Sequence, residues 1–298
     1  MRPFRLVRRR GETLVPSAHA RGATMSTLAR SILVHLDSSP HGAARLRLAA
    51  ELAQAFDAHC HALPCILSAY ERYPYAMDFT GAALSSLQTL DREALDRART
   101  TFDIVAADSD RISWLSPRGS TPWAFAQCAL FHDLVVLGQR DPSDPQVDEV
   151  SAGFASAVMI ASGKPTLMVP WAGRFDILGR RVLVAWRPTR ECARAVSAAI
   201  PWMRLARGVD LVSYSDAALQ ELAPLKEYLQ QHGIDAVVHD GGREHGDAPE
   251  RLLSLAADLG SGLLVMGCWG HSRVHEWATG GMTRSVLASM TLPVLMVH

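Results

Sequence analysis

The chain has 298 residues, 48% of them hydrophobic and 20% charged, which is enough for two domains of ordinary size. Thirty basic residues balance thirty acidic ones, so no net charge favours nucleic acid or an anionic membrane surface as a partner. The five cysteines, an odd number, exclude a fully paired disulfide framework and predict free, buried thiols, and no apolar run reaches the roughly 18 residues that span a bilayer.

Residues 1–24 carry six arginines against one acidic residue, Glu12, and contain no apolar segment of the kind found in signal peptides. This composition predicts either a flexible basic extension or a start codon assigned too far upstream, with Met25 as the natural start. Because no leader and no membrane anchor is recognised, we expect a cytoplasmic protein.

Four blocks of sequence occur twice in the same order, which predicts two homologous domains. The first copy lies within residues 25–170, the second lies within residues 178–298, and the junction falls near 170–174. The matched blocks are 32–36 with 182–186, 42–58 with 191–206, 133–138 with 262–267, and 151–169 with 279–297.

Short apolar runs alternate with longer helical patterns in each half. The runs lack polar alternation, as expected for strands whose sheet is covered on both faces, and the alternation of strands with helices indicates right-handed crossovers and a parallel sheet. The second half has predicted strands at 181–186, 209–214, 235–239, 262–267 and 293–297, and predicted helices at 190–206, 216–232, 247–259 and 281–290. The fold class is therefore α/β, with two tandem doubly wound domains, each built on a five-stranded parallel sheet.

Two local stretches carry predictions of their own. The stretch Tyr70–Gly81 is rich in Tyr, Phe and Met, and it either covers a domain surface or forms part of a lid. The helix at 247–259 has a capping residue in Asp247, while Pro249 and Glu250 suit its first turn.

Histidines offer candidate metal ligands at one place and a candidate cluster at another. His271 and His275 are four residues apart with Glu276 adjacent, but a zinc site needs a further ligand at a fixed position, so we predict exposed loop histidines and no metal. His59 and His61 alternate along the second predicted strand, which predicts that they share one sheet face and are buried with hydrogen-bond partners.

A glycine-containing loop follows the fourth predicted strand of the second half. Gly267 and Gly270 lie where the chain must turn sharply, and Gly280 and Gly281 open the last helix, whose first amide groups have no partner within the helix. An anion can bind those amides and the positive end of the helix dipole. Side chains nearby that suit a polyphosphate are Thr283, Arg284 and Ser285. On spacing alone, tight turns without a ligand account for the glycines as well.

These residues carry a resemblance to a known family. The spacing Gly267-x2-Gly270-x9-Gly280, followed by Pro293-Val-Leu-Met-Val297, resembles the universal stress protein family, and the repeat resembles its tandem bacterial branch over about residues 30 to 298. The resemblance implies an adenine nucleotide, ATP or a relative with Mg²⁺ as a companion ion, across the carboxyl ends of strands one and four. It also implies a pseudo-twofold axis, with the strands that end at Val169 and Val297 covering each other's edges.

The two halves depart from the family pattern in different ways. The family places an aspartate after strand one to hold the base and ribose, and that position is Asp37 in the first half but Arg187 in the second. The first half reads Gly138-Gln-Arg-Asp141 where the glycine loop belongs, and Asp141 repels phosphate, so we predict no ATP site there. The second half keeps three glycines but has Gly281 in place of Ser or Thr.

The predicted function is that of a stress-response regulatory protein that binds ATP or a related adenine nucleotide in its second half. The predicted nucleotide-binding residues are Trp186, Arg187, Gly267, Gly270, Gly280, Gly281, Met282 and Thr283. No catalytic residue is predicted, because no general base and no Ser-His-Asp arrangement is recognised. Two alternatives stay open, namely a nucleotide-free module that binds a protein partner through decayed clefts, and a slow ATP hydrolase. Homodimerisation beyond the internal pseudo-dimer has no supporting pattern.

Overall fold

The computed structural model describes residues 29–74, 81–116, 119–243, 247–269 and 281–298. The basic segment 1–24, the histidines at 271 and 275 with Glu276, and the glycines at 270 and 280 lie outside these residues, so the predictions made for them stay predictions. None of the described helices is both long enough and apolar enough to cross a membrane.

The described elements alternate between strands and helices in both halves. The first half contains β1 (Ser31–Leu36), α1 (Gly42–Phe56), β2 (His59–Pro64), α2 (Ala69–Arg72), α3 (Gly81–Ala106), β3 (Ile112–Trp114), α4 (Pro122–Ala129), β4 (Leu134–Gly138), a short 3-10 helix (Val147–Glu149), α5 (Phe154–Ser162) and β5 (Thr166–Val169). The second half contains β6 (Arg181–Ala185), α6 (Arg190–Leu205), β7 (Gly208–Ser213), α7 (Ala218–Gln231), β8 (Ala236–Asp240), α8 (Ala248–Asp258), β9 (Ser261–Gly267), α9 (Met282–Ser289) and β10 (Val294–Val297). The five strands predicted for the second half are all present, each within one residue of its predicted bounds.

The strands form one sheet of ten, in the order β3-β2-β1-β4-β5-β10-β9-β6-β7-β8. All neighbours within a half pair in parallel, as predicted, and each half has the order third-second-first-fourth-fifth of its own strands. The first strand of each half is flanked by its second and fourth strands, so the order reverses at that point. In such sheets a ligand cleft lies beyond the carboxyl ends of the first and fourth strands.

The two halves meet where β5 pairs with β10, and this pairing is antiparallel. Met168 lies opposite Val294, and Leu167 lies opposite Leu295, both leucines being fully buried. Antiparallel pairing of equivalent strands is the arrangement that a pseudo-twofold axis produces. The prediction that these two edge strands cover each other is confirmed, and it turns two five-stranded sheets into one continuous sheet.

The core consists of two layers, one on each face of the sheet, and both layers run through both halves. Alternate side chains of β1 supply the two layers, with Ile32 and Val34 on the face of α1 and Leu33 on the face of α4 and α5. The cysteines fit this packing, since four are buried, although Cys128 is only partly buried. Burial raises the pKa of the Cys60 and Cys65 thiols to about 12, so these two are packing residues and not reactive thiols.

Helix starts agree with the sequence except at one cap. The Thr189 side chain accepts a hydrogen bond from the Cys192 amide and begins α6. Asp247 precedes α8 as predicted, but its side chain makes no capping hydrogen bond. The reason is its backbone, because φ −89° and ψ 3° are far from the extended conformation that aims a capping side chain at the helix amides. Its carboxylate lies instead 3.6 Å from Arg251 Nε.

The junction of the halves can be tested with a double-mutant cycle on Leu167 and Leu295. Each Leu→Ala change should lower the free energy of unfolding by about 2–5 kcal/mol, and the two effects should deviate from additivity by about 0.5–3 kcal/mol because the residues are neighbours. Urea denaturation of the two single variants and the double variant measures this coupling.

The matched control pair is Leu33 and Leu183, one from each half, both fully buried on strands separated by four others. Their Leu→Ala effects should add to within about 0.5 kcal/mol. Additive effects at Leu167 and Leu295 would contradict a shared core at the junction.

Candidate functional site

In the first half, an ion pair occupies the carboxyl end of β1. Arg45 Nη2 donates to Asp37 Oδ2 at 2.9 Å, and Arg45 Nε donates to the His35 carbonyl at 2.8 Å. Both side chains are buried. Burial raises the pKa of Asp37, but the Arg45 charge and the hydrogen bonds outweigh it and hold that pKa at about 2. The aspartate that the family uses for a nucleoside is therefore committed to an internal partner.

The same arginine explains the glycine at the end of β4. A Cβ atom on Gly138 would lie 1.9 Å from Arg45 Nη1, which is far below any tolerated contact. Gly138 thus leaves room for the guanidinium that lies over it, and Arg45 occupies part of the space beside the ends of β1 and β4.

The loop after β4 fixes a carboxylate where the family has glycines. Asp141 Oδ1 accepts hydrogen bonds from the Ser143 amide at 2.9 Å and the Ser143 hydroxyl at 2.7 Å, and Asp141 Oδ2 lies 3.0 Å from His41 Nε2. The bonds from Ser143 lower the pKa of Asp141, so the carboxylate keeps its charge at neutral pH. This geometry agrees with the prediction that the loop repels phosphate.

A second buried carboxylate, Glu149, ties three elements of the first half together. It accepts a hydrogen bond from the Ser38 hydroxyl beside Asp37 and another from Arg97 Nη2 of α3 at 2.9 Å. Arg72 of α2 approaches it at 3.4 Å. The described part of the Tyr70–Gly81 stretch is therefore held against the loop that precedes α5. Sequence reasoning missed this contact, because nothing local to residue 149 indicates its partners.

In the second half, the predicted residues at the ends of β6 and β9 lie on neighbouring strands. The Trp186 indole Nε1 is buried and has no hydrogen-bond acceptor among the described residues. Arg187 follows it at the aspartate position and is partly buried. A Cβ atom on Gly267 would lie 2.5 Å from the Cys192 amide nitrogen, so this glycine allows the start of α6 to pack against the strand end.

The start of α9 lies next to the end of β9. The Trp269 amide donates to Thr283 Oγ1 at 3.5 Å, and Thr283 is buried. Gly281 precedes the helix without a side-chain cap, and Met282 packs on the core. The structure thus brings Gly267, Gly281, Met282 and Thr283 to one edge of the sheet with Trp186 and Arg187. Gly270 and Gly280 lie outside the described residues.

Three histidines of the first half lie close together, two on β2 and one just after α4. The ring centroids of His59 and His61 are 4.9 Å apart, which confirms that they share a face, and those of His61 and His132 are 5.1 Å apart. His59 Nε2 lies 3.1 Å from the Ser113 hydroxyl, so it has a hydrogen-bond partner as predicted. The predicted burial is wrong for His59, which is exposed at the start of β2. Burial lowers the pKa of both His61 and His132, so the rings are neutral at pH 7. Within the described ranges, no group of three or more His, Cys, Asp or Glu side chains has the geometry of a metal site.

A cavity of about 1220 Å³ crosses the junction of the halves; we call it the junction cavity. One end lies at Asp37 and Asp141 in the first half, and the other lies at Trp269 and Arg284 in the second. Its floor includes Met168 of β5. The sequence could not predict it, because its walls come from residues more than a hundred positions apart.

Solved structures share this architecture. A universal stress protein from Archaeoglobus fulgidus DSM 4304 has 16% sequence identity, covers 90% of this chain over 95% of its own length, and has a TM-score of 0.66. A functionally unknown protein from Pseudomonas aeruginosa PAO1 has 16% identity, coverages of 91% and 93%, and a TM-score of 0.55. A putative universal stress protein from Pseudomonas aeruginosa UCBPP-PA14 has 17% identity, coverages of 91% and 94%, and a TM-score of 0.54.

Neither a family model nor a curated protein matches the chain. The likeness to the three structures extends over both halves. The resemblance to tandem universal stress proteins is confirmed at the level of the fold.

The first prediction from this site concerns His35. Burial of its side chain lowers the pKa of the ring from 6.5 to about 4. Its Nε2 lies 2.9 Å from the Cys65 carbonyl, so the neutral ring donates there. Between pH 6.5 and 4 the unfolded chain binds a proton that the folded protein excludes. The free energy of unfolding should therefore be highest above pH 6.5 and fall by about 3 kcal/mol on acidification to pH 4. Urea denaturation across this range measures the slope.

His35→Gln should remove most of that slope, since glutamine can donate to the same carbonyl without titrating. His232→Gln, at a partly exposed position, should leave the slope unchanged. An unaltered slope in His35→Gln would show that other groups carry the pH dependence.

The second prediction concerns the Arg45–Asp37 pair. Arg45→Met should lower the free energy of unfolding by about 3–5 kcal/mol, because it leaves the Asp37 carboxylate buried without a partner. Adding Asp37→Asn should recover part of this loss. Arg99→Met, which removes an exposed ion pair with Asp103, should cost at most about 1 kcal/mol. Equal effects at Arg45 and Arg99 would contradict a buried pair.

Proposed function

We propose that this protein is a cytoplasmic, non-catalytic regulatory protein of the universal stress type, which binds ATP or a related adenine nucleotide in its second half. We further propose that residues 25–170 and 178–298 are its two domains, and that only the second takes a nucleotide. The two halves share one fold and differ in the side chains at their strand ends, and this contrast is why only the second half is assigned a nucleotide.

The observation that carries the proposal is the uncapped start of α9. Gly281 supplies no side chain to the first amide groups of this helix. The Arg284 amide donates to the Gly281 carbonyl at 3.0 Å, but the amides that precede it have no acceptor within the helix. A phosphate group can satisfy them and the positive helix end together. Arg284 in the first turn is exposed and adds a cation whose guanidinium can bind a phosphate group.

The nucleoside would lie toward β6. The Trp186 indole Nε1 is a buried donor that lacks an acceptor among the described residues, and such a donor costs free energy unless a partner arrives. An adenine ring nitrogen or a ribose oxygen is an acceptor of the required kind. Arg187 cannot accept the hydrogen bonds that an aspartate would, so we expect the affinity to be about 5- to 150-fold weaker than with an aspartate.

Binding without turnover is proposed because the nearby carboxylate of Glu191 is already paired. Glu191 in the first turn of α6 is buried and paired with Arg190, so it is not placed to act as a general base. The Thr283 hydroxyl accepts from the Trp269 amide and keeps its proton for donation to a phosphate oxygen.

The test is calorimetric titration of the full chain with ATP and Mg²⁺, comparing wild type with Gly281→Asp and Gly281→Asn. Aspartate and asparagine are both favourable residues before a helix, so both variants should fold. Wild type should bind with a Kd below about 100 μM (roughly −5.5 kcal/mol). Gly281→Asp should weaken binding at least about tenfold by placing a charge at the phosphate position, and Gly281→Asn should weaken it much less.

Absence of binding to the folded wild type would contradict the proposal and favour the nucleotide-free interaction module. Equal binding by the two variants would place the phosphates elsewhere.

A further inference from the structure

The junction cavity has an apolar middle that no part of the proposed nucleotide site uses. Ile160 of α5 and Leu287 of α9 line it from opposite sides and are only partly buried, and Met168 forms its floor. One wall of the cavity belongs to α9, whose eight residues span about 12 Å. An apolar channel of this shape fits an extended hydrocarbon chain better than a compact polar molecule.

The two ends of the cavity differ in charge. The first-half end carries Asp141, bound to Ser143 and His41, and the buried Asp144. The Asp37 carboxylate at this end is already neutralised by Arg45. An anion is therefore disfavoured there.

The second-half end carries Arg284, for which no ion pair exists among the described residues. Arg140, the other unburied arginine of the wall, is paired with Asp148. Arg284 is in the first turn of α9, where the helix dipole adds positive potential. A carboxylate at this end would form a hydrogen bond with the Arg284 guanidinium in which both partners are charged, which is stronger than a bond between neutral groups.

We infer that the junction cavity binds a medium-chain fatty carboxylate, with its head group at Arg284 and its chain between Ile160 and Leu287 over Met168. The ligand crosses the antiparallel pairing of β5 with β10, which we call the seam, so its chain contacts α5 of one half and its head contacts α9 of the other. This inference does not rest on nucleotide binding.

Hydrogen bonds of the Gln139 side chain hold one wall of the junction cavity in place. Its Nε2 donates to the Leu287 carbonyl at 3.0 Å and to the Ala288 carbonyl at 3.1 Å, and its Oε1 accepts from the Trp171 amide at 3.3 Å. These contacts fix the last turn of α9 relative to the loop after β4. The wall that α9 contributes is thereby held in place before any ligand enters.

The test is calorimetric titration of the full chain with octanoate, decanoate and dodecanoate, each below its micelle concentration and without nucleotide. Each added pair of methylene groups should tighten Kd by about tenfold or more while the chain lies in the channel. Decanol, which has the chain without the carboxylate, should bind about tenfold more weakly than decanoate. No binding by dodecanoate, or equal binding by decanol and decanoate, would overturn the inference.

Two variants locate the site. Ile160→Trp should fill the channel and weaken dodecanoate binding at least tenfold, whereas Ile104→Trp, at an exposed isoleucine of α3 outside the cavity, should not. Arg284→Gln should weaken decanoate about tenfold and leave decanol unchanged, whereas Arg180→Gln, at an exposed arginine outside the cavity walls, should alter neither. Thermal unfolding of each variant establishes that it is folded. Dodecanoate binding that is unaffected by both Ile160→Trp and Arg284→Gln would overturn the inference.

Discussion

Backbone N–H and C=O groups along a sheet edge must find partners or be covered, and the pairing of β5 with β10 meets that requirement for both halves at once. Because the pairing is antiparallel, the strands of the first half have their carboxyl ends at one edge of the ten-stranded sheet, and those of the second half have them at the opposite edge. The regions beyond the strand ends of the two halves are thereby separated, one at each edge. The junction cavity is a further result, since α5 and α9 are brought side by side across the seam.

The same fold supports two different clefts because a few side chains differ. In the first half, Asp37 is followed eight residues later by Arg45, and the two form a buried pair. In the second half, Arg187 is followed eight residues later by Ala195, which is fully buried. In the first half the arginine of the helix pairs with the aspartate at the strand end, while in the second half the cation stands at the strand end and the corresponding helix position is uncharged. A small exchange of charge thus distinguishes the strand ends of the two halves.

The sequence predicts the strands and their parallel order well, because short apolar runs such as 182–186 and their repetition are local signals. It predicts the β5–β10 seam only through the resemblance of both halves to a family that pairs at that edge. It cannot predict that Arg45 lies over Gly138, because a buried arginine on an alanine-rich helix looks the same as an exposed one. Asp247 shows the converse limit, since a capping residue type is present but its backbone angles prevent the cap.

The seam also has a consequence for synthesis. Val294 of β10 follows Val169 of β5 by 125 residues (294 − 169). At about 5–20 residues per second, the ribosome needs roughly 6–25 seconds to make the strand that covers β5. During that interval the first half has its sheet order complete but one apolar edge open. Neighbouring nascent chains on one messenger RNA could then exchange fifth strands, so slow translation of the second half would favour domain-swapped oligomers over the closed monomer.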